Sequence, residues 1–222
     1  VYRSLRAACH DIVPAMSELP HATDPVADAW RNFGLGHKAL AIELAREAWI
    51  GASSPAAAAA LGYFLLDAGA LKQAEDVLLA AMRTAPRMGV LHWYVGLLRY
   101  RQGDVDQAAD ALRHACLLDE TLDEAACTLA WWLHDQGNVQ EALDWSQRAL
   151  RSARLPQRLM QWAWLLQRHG SVEEAVQAYE EAAGAFPANA VEQSRLHLHW
   201  AQCLVALEQP HEAALVLAKG LT

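Results

Sequence analysis

The sequence predicts an all-α protein, an array of helix pairs joined by tight turns, on three observations. Glycines stand at 69, 103, 137 and 170, spaced 34, 34 and 33 residues apart. Alanine follows each glycine at the fifth residue (Ala74, Ala108, Ala142, Ala175) and again at the twelfth (Ala81, Ala115, Ala149, Ala182). Seven residues before each glycine stands another small residue, Gly62, Gly96, Ala130 or Ala163, preceded by Leu61, Val95, Leu129 or Trp162. Small residues recurring at fixed offsets mark close helix contacts. A fixed period of this length marks a repeat architecture, in which each unit buries its apolar face against its neighbours.

In chain order, residues 1–21 read as the second helix of a truncated preceding repeat, with Ala8, Ile12, Ala15 and Pro20 at second-helix offsets and Pro14 against that reading. The unit 22–54 takes a turn at Gly36 for its second helix (Ala41, Ala45, Ala48). Its first helix fits Gly34 better, which puts Val26, Ala27 and Trp30 at buried places. The FGLG turn is therefore expected to be expanded by two residues. Units follow at 55–88, 89–122, 123–155 and 156–190, and Pro86 and Pro187, seventeen residues past their glycines, are expected to end second helices. The unit 191–222 has Glu208 in place of the turn glycine, while Trp200, Ala201, Leu204, Ala213 and Leu217 keep the register. The start at Val1 without Met, the half-unit behind it and the apolar closing stretch EAALVLAKGL suggest a piece of a larger protein. Another element is then expected over Ala214, Leu215 and Leu217, and the exposed terminal repeats leave a homo-oligomer open.

Composition narrows the function. Hydrophobic residues make up 54% and charged residues only 20%, which excludes a disordered chain. Apolar runs such as AAAAALGYFLL at 56–66 are too short for membrane insertion. With 26 acidic against 18 basic residues and no basic cluster, nucleic acid is not expected as a partner. Cys9, Cys116, Cys127 and Cys203 lack CxxC spacing and read as free thiols, which leans towards a reducing, cytoplasmic setting. No charged-then-apolar leader opens the chain. There is no phosphate-cradling glycine loop, nucleophile elbow or HExxH, so the expectation is a protein that is not an enzyme and has no cofactor. His197 and His199, two residues apart, fall on different helix faces and form no metal site. Glu173, Glu174, Glu180 and Glu181 read as the solvated side of a helix.

Stretches such as LGYFLLDAGALKQAEDVLLAAMRTAP at 61–86 and AYEEAAGAFP at 178–187 resemble tetratricopeptide repeats, and the resemblance covers about residues 22–222. It implies a right-handed superhelical solenoid whose first helices line a concave surface, where members of the family commonly bind peptides.

The buried stripe of each first helix falls eleven, eight, seven and four residues before the turn, so the residue six before it points about 150° away. Tyr63, Leu97, Trp131 and Trp164 occupy that place, followed by Gln202, with Trp30 joining them in one of the two turn registers. Family members usually carry a small or polar residue there. Ten and three before the turn, Trp93 and Tyr100, Cys127 and His134, and Met160 and Gln167 face the same way. The candidate groove is thus Tyr63, Trp93, Leu97, Tyr100, Trp131, His134, Met160 and Trp164. Trp132, about 100° round from Trp131, is expected to face the next repeat as packing, and Trp162 and Trp200 fall on the buried stripe.

Two explanations for this aromatic floor stay open. Another element, whether of this chain, a missing domain or a second copy, covers it, or it is a groove with aromatic anchors. Its ligand would be an extended peptide, an amphipathic helix or a glycan stacked on the rings. A clamp for acidic chaperone tails is excluded, because Ala59 and Tyr63, Trp93 and Leu97, and Cys127 and Trp131 stand where such family members carry lysine and asparagine. The reading is a non-enzymatic protein-interaction scaffold. The alternatives are a regulatory or substrate-presenting array of a multidomain enzyme such as a bacterial glycosyltransferase, and a glycan-binding array in polysaccharide export. Trp131 and Trp164 are expected to be dispensable for folding, with Trp162 as the core control.

Overall fold

The computed structural model describes residues 24–151, 153–186 and 191–220. Within them are twelve α-helices: α1 (Pro25–Gly34), α2 (Lys38–Ala52), α3 (Pro55–Asp67), α4 (Leu71–Thr84), α5 (Gly89–Gln102), α6 (Val105–Leu118), α7 (Asp123–Asp135), α8 (Val139–Ala149), α9 (Pro156–His169), α10 (Val172–Ala185), α11 (Val191–Ala206) and α12 (Pro210–Lys219). No strand occurs among the described residues. The helix expected within residues 1–21 and the stop expected at Pro187 lie outside them.

One turn geometry is used six times. Gly36, Gly69, Gly103, Gly137 and Gly170 all have φ between 76° and 96°, and Glu208 takes φ 59° at the sixth turn. In each, the turn residue's N–H donates to the carbonyl three residues back, and the next N–H reaches five back. At Gly69 these bonds are Gly69 to Leu66 (3.1 Å) and Ala70 to Leu65 (2.9 Å). The carbonyls orphaned at the first helix's end are so satisfied. A left-handed φ is free for glycine and costly for other residues, so Glu208 holds this conformation against its own preference.

The FGLG turn is not expanded. Gly36 donates to Phe33 at 3.0 Å and His37 to Asn32 at 2.9 Å, the same pattern as at the other turns. A single register anchored on Gly36 therefore runs through both helices of the first pair, and Trp30 sits six before the turn.

Helix starts follow local chemistry. Asp24 accepts from the Val26 N–H at 3.0 Å ahead of Pro25, and Ser54 accepts from Ala57 at 3.4 Å ahead of Pro55. Such caps satisfy N–H groups that have no partner inside the helix, and proline at the first helical residue gives up none that is needed. Pro86 follows the end of α4 at Thr84.

By its internal contacts the chain divides into two units, residues 1–125 and 126–222. In the first, the second helices bury Ala41, Ala45, Ala74, Leu78, Ala81, Ala108, Leu112 and Ala115. The alanine run of α3 buries Ala57, Ala58, Ala59 and Ala60. The small residue seven before the turn is required by the second helix of its own pair. A Cβ on Gly62 would lie 2.4 Å from Leu78 Cδ2, and one on Gly96 would lie 3.1 Å from the Ala108 carbonyl oxygen.

The second unit repeats the plan with Ala142, Ala149, Ala175, Ala182 and Ala213 buried at the corresponding places. Its core also takes polar groups, two of which bond to backbone carbonyls, as burial favours. Gln161 donates Nε2 to the Cys127 carbonyl at 2.8 Å, and Arg158 donates Nη1 to the Ala149 carbonyl at the end of α8 at 3.1 Å. Glu173, Glu174, Glu180 and Glu181 are exposed, and Arg154 forms a two-pronged ion pair with Glu181.

Candidate functional site

Counting from the turn residue places the aromatic side chains in a column on the first helices. In the first unit Trp30 and Tyr63, each six before its turn, meet with ring centroids 5.4 Å apart. Phe33 stacks on Phe64 at 4.5 Å, and Tyr63 meets Tyr94 at 5.2 Å. Trp93 lies beside Tyr94 at 5.1 Å, and its buried Nε1 has no acceptor among the described residues. Burial, with Tyr63 and Glu124 adding repulsion to a phenolate, pushes the Tyr94 hydroxyl well above the usual phenol range, so it stays protonated. Tyr63, Trp93, Leu97 and Tyr100 are all half-buried. Five before the turn, Phe64 packs on Trp30 and Phe33 of the preceding pair.

In the second unit the column is Trp131 and Trp164, with centroids 4.8 Å apart. The His134 ring meets Trp164 edge-on at 4.7 Å, and the Arg168 guanidinium lies 5.9 Å from its centroid. Trp164 is thus gripped by an indole, an imidazole and a cation, contacts that each add about 0.5–1.5 kcal/mol beyond area burial. His134 Nδ1 is buried and lies 3.6 Å from the Asp135 carboxylate. No carboxylate pairs with Arg168 among the described residues.

Several candidate residues sit differently from their expected places. Trp164 is only 8% exposed and Met160 is buried, so neither offers an open ring or thioether to a ligand. The rotation that turns Trp164 from its own second helix turns it towards α7, whose Trp131 and His134 rings cover it. Trp131 is half-buried against Trp164, and Trp132 is buried. Trp162 and Trp200, expected in the core, are half-buried. Tyr94, Phe33 and Arg168 join the column without having been singled out by the sequence pattern. Arg168 was legible as the residue four past Trp164, the spacing that brings side chains together on a helix.

His197 is buried and bonds through Nδ1 to the Gln193 carbonyl at 2.7 Å. His199 stacks on Tyr179 at 6.4 Å. Cys116, Cys127 and Cys203 are buried and form no disulfide among the described residues, and burial raises the Cys203 thiol to about 11, which keeps it protonated. Among the described residues no three of His, Cys, Asp and Glu converge as metal ligands, and no helix is long and apolar enough to cross a membrane.

No family model matches the sequence, and no curated protein does. Solved structures match the fold. TTC0263, a protein of Thermus thermophilus, is 18% identical over 82% of this chain and 98% of its own, with a TM-score of 0.64. PilF of Pseudomonas aeruginosa is 21% identical over 86% of each chain, with a TM-score of 0.72. The Cut9–Hcn1 hetero-tetramer matches 99% of this chain but 43% of its own, at 14% identity and a TM-score of 0.68. TTC0263 is a tetratricopeptide-repeat (TPR) protein, and with helix pairs of near-34 period and one recurrent turn, the chain has the tetratricopeptide-repeat fold.

Proposed function

We propose that the protein is a non-enzymatic interaction scaffold that binds a peptide or amphipathic helix of a protein partner on the ring-bearing face of its first helices. The observation that carries this reading is the pair Trp131 and Trp164. One ring is locked in place by its neighbours, and the other lies on it half-buried, with part of its face accessible. A rigid indole held at a surface gives a large apolar contact at little entropic cost, as interface hot spots do. In this reading Trp131 touches the ligand, His134 and Trp164 hold it, and Met160 packs beneath. Tyr63, Trp93, Leu97 and Tyr100 make the equivalent surface in the first unit. The fold supports the reading in general terms, and one similar chain belongs to the Cut9–Hcn1 hetero-tetramer.

Affinity capture with the wild type, Trp131→Ala and an outer-face control, Glu173→Ala, tests it, with circular dichroism confirming that all three are folded. A reproducible set of captured proteins should be lost with Trp131→Ala alone. Equal capture by all three variants would remove Trp131 from the binding surface.

A further inference from the structure

The pair α5–α6 sets two imidazoles against each other. His92 stands eleven residues before the turn glycine Gly103 and His114 eleven after it. The antiparallel helices so bring the two together, with ring centroids 4.5 Å apart and ring planes at 67°. The other pairs do not repeat this. Eleven before the turn, Ala58, Ala126 and Leu159 are buried apolar residues, and the buried His197 of α11 has Lys219 as its counterpart. Packing is thus served at this place by alanine or leucine and asks for no imidazole.

Hydrogen bonding prepares His92 as a ligand. Its Nε2 lies 2.8 Å from the Pro86 carbonyl oxygen. A carbonyl only accepts, so in the neutral ring Nε2 carries the proton and Nδ1 keeps its lone pair. Metal-bound histidines share this arrangement: the second ring nitrogen donates to a carbonyl, which fixes the tautomer and the ring orientation. His92 is half-buried, whereas His114 is exposed, so either nitrogen of the His114 ring can be turned towards His92. With metal–nitrogen bonds of about 2.0–2.1 Å, two imidazoles on one cation at right or tetrahedral angles have centroids about 4.5–5 Å apart. The observed separation meets that requirement. The adjacent cation, Arg113, is tied to Asp110 at 2.9 Å, which offsets its repulsion of a metal ion.

We propose that His92 and His114 chelate a divalent cation that favours imidazole, of the zinc, nickel or copper class, with water at its remaining positions. No third His, Cys, Asp or Glu converges there among the described residues. The cation is therefore held reversibly and in contact with solvent, unlike the metal of a closed four-ligand structural site. It joins the two helices of one pair, and because only the folded pair holds both rings together, it stabilises the folded chain.

Isothermal titration of zinc chloride into the chelator-stripped 222-residue chain tests it. His114→Gln replaces an exposed ring, and His92→Gln keeps an amide donor for the Pro86 carbonyl, so both variants should keep the wild-type circular dichroism spectrum. The wild type should bind zinc saturably. Each variant should raise the dissociation constant by more than the roughly tenfold that loss of an outer-shell partner costs. The double variant should be no weaker than either single one, because a chelate is lost with either ring. His211→Gln, at an exposed histidine of α12, should bind like the wild type. Zinc should also raise the melting temperature of the wild type but not that of His114→Gln. Absence of saturable zinc binding, unchanged affinity or a persisting rise in melting temperature in His114→Gln, additive losses in the double variant, or an equal loss in His211→Gln would each overturn the proposal.

Discussion

Six residues before the turn, α9 holds Trp164 and α11 holds Gln202; nine past it, α10 holds Tyr179 and α12 holds Leu217. The two pairs share one turn geometry and one register, with Ala163 and Ala201 buried alike seven before their turns. Burial separates them at the outward places. Trp164 and Tyr179 are buried, whereas Gln202 and Leu217 are exposed. A helix pair therefore settles its own inner stripe, while the burial of its outward places depends on whatever packs beyond it.

The largest test of this contrast is a matched substitution six before the turn. Trp164→Ala should cost about 3–5 kcal/mol, as expected for a buried aromatic, and Gln202→Ala should stay within about 0.5 kcal/mol of the wild type. Urea unfolding measures both, and equal effects would show that the two places differ in sequence but not in environment.

The turns sharpen the comparison at a smaller scale. Gly170→Ala forces a Cβ into a left-handed conformation and should destabilise by about 1 kcal/mol. Glu208→Gly relieves the same strain in the last pair and should raise stability by up to about 1 kcal/mol. No side chain crowds the Cβ direction at Gly170, so thermal melts of the two variants report conformational preference and not packing.

The smallest effect concerns pH. Burial pushes the His199 pKa below the usual imidazole value, with Arg195 adding to the shift and the Gln202 hydrogen bond opposing it. The folded state so favours neutral His199. Its contribution is fully present above about pH 6.5, the ordinary imidazole pKa, and is lost as pH falls through the lowered folded value. Melting temperature should fall on acidification through that window, and His199→Gln should flatten the slope. An unchanged slope in that variant would assign the pH dependence to other groups.

The fold is largely legible in the residues because its determinants are local. A turn that needs left-handed φ selects glycine, and helices that touch select alanine and glycine. Both selections recur at fixed intervals, which is why Glu208 can be placed at a turn without the glycine. The FGLG turn reads as expanded only if the size of Trp30 assigns it to a core. The structure gives it the place of Tyr63, against whose ring it packs. Trp164 departs from its expected exposure for a related reason. Rotation about a helix axis shows which way a ring leaves its own helix, but not what the next helix places opposite.

The sequence by itself determined the all-α class, the helix pairs, their turns and their inner stripes, since each follows from backbone preference and from contacts within about one repeat. Only the tertiary structure decided which rings of the column are open and which are closed. Trp131 and Trp164 stand at equivalent places with the same residue type, and one stays half-buried while the other is enclosed by Trp131, His134 and Arg168. That difference arises because burial is set by neighbours distant in sequence, whose side chains no local periodicity encodes.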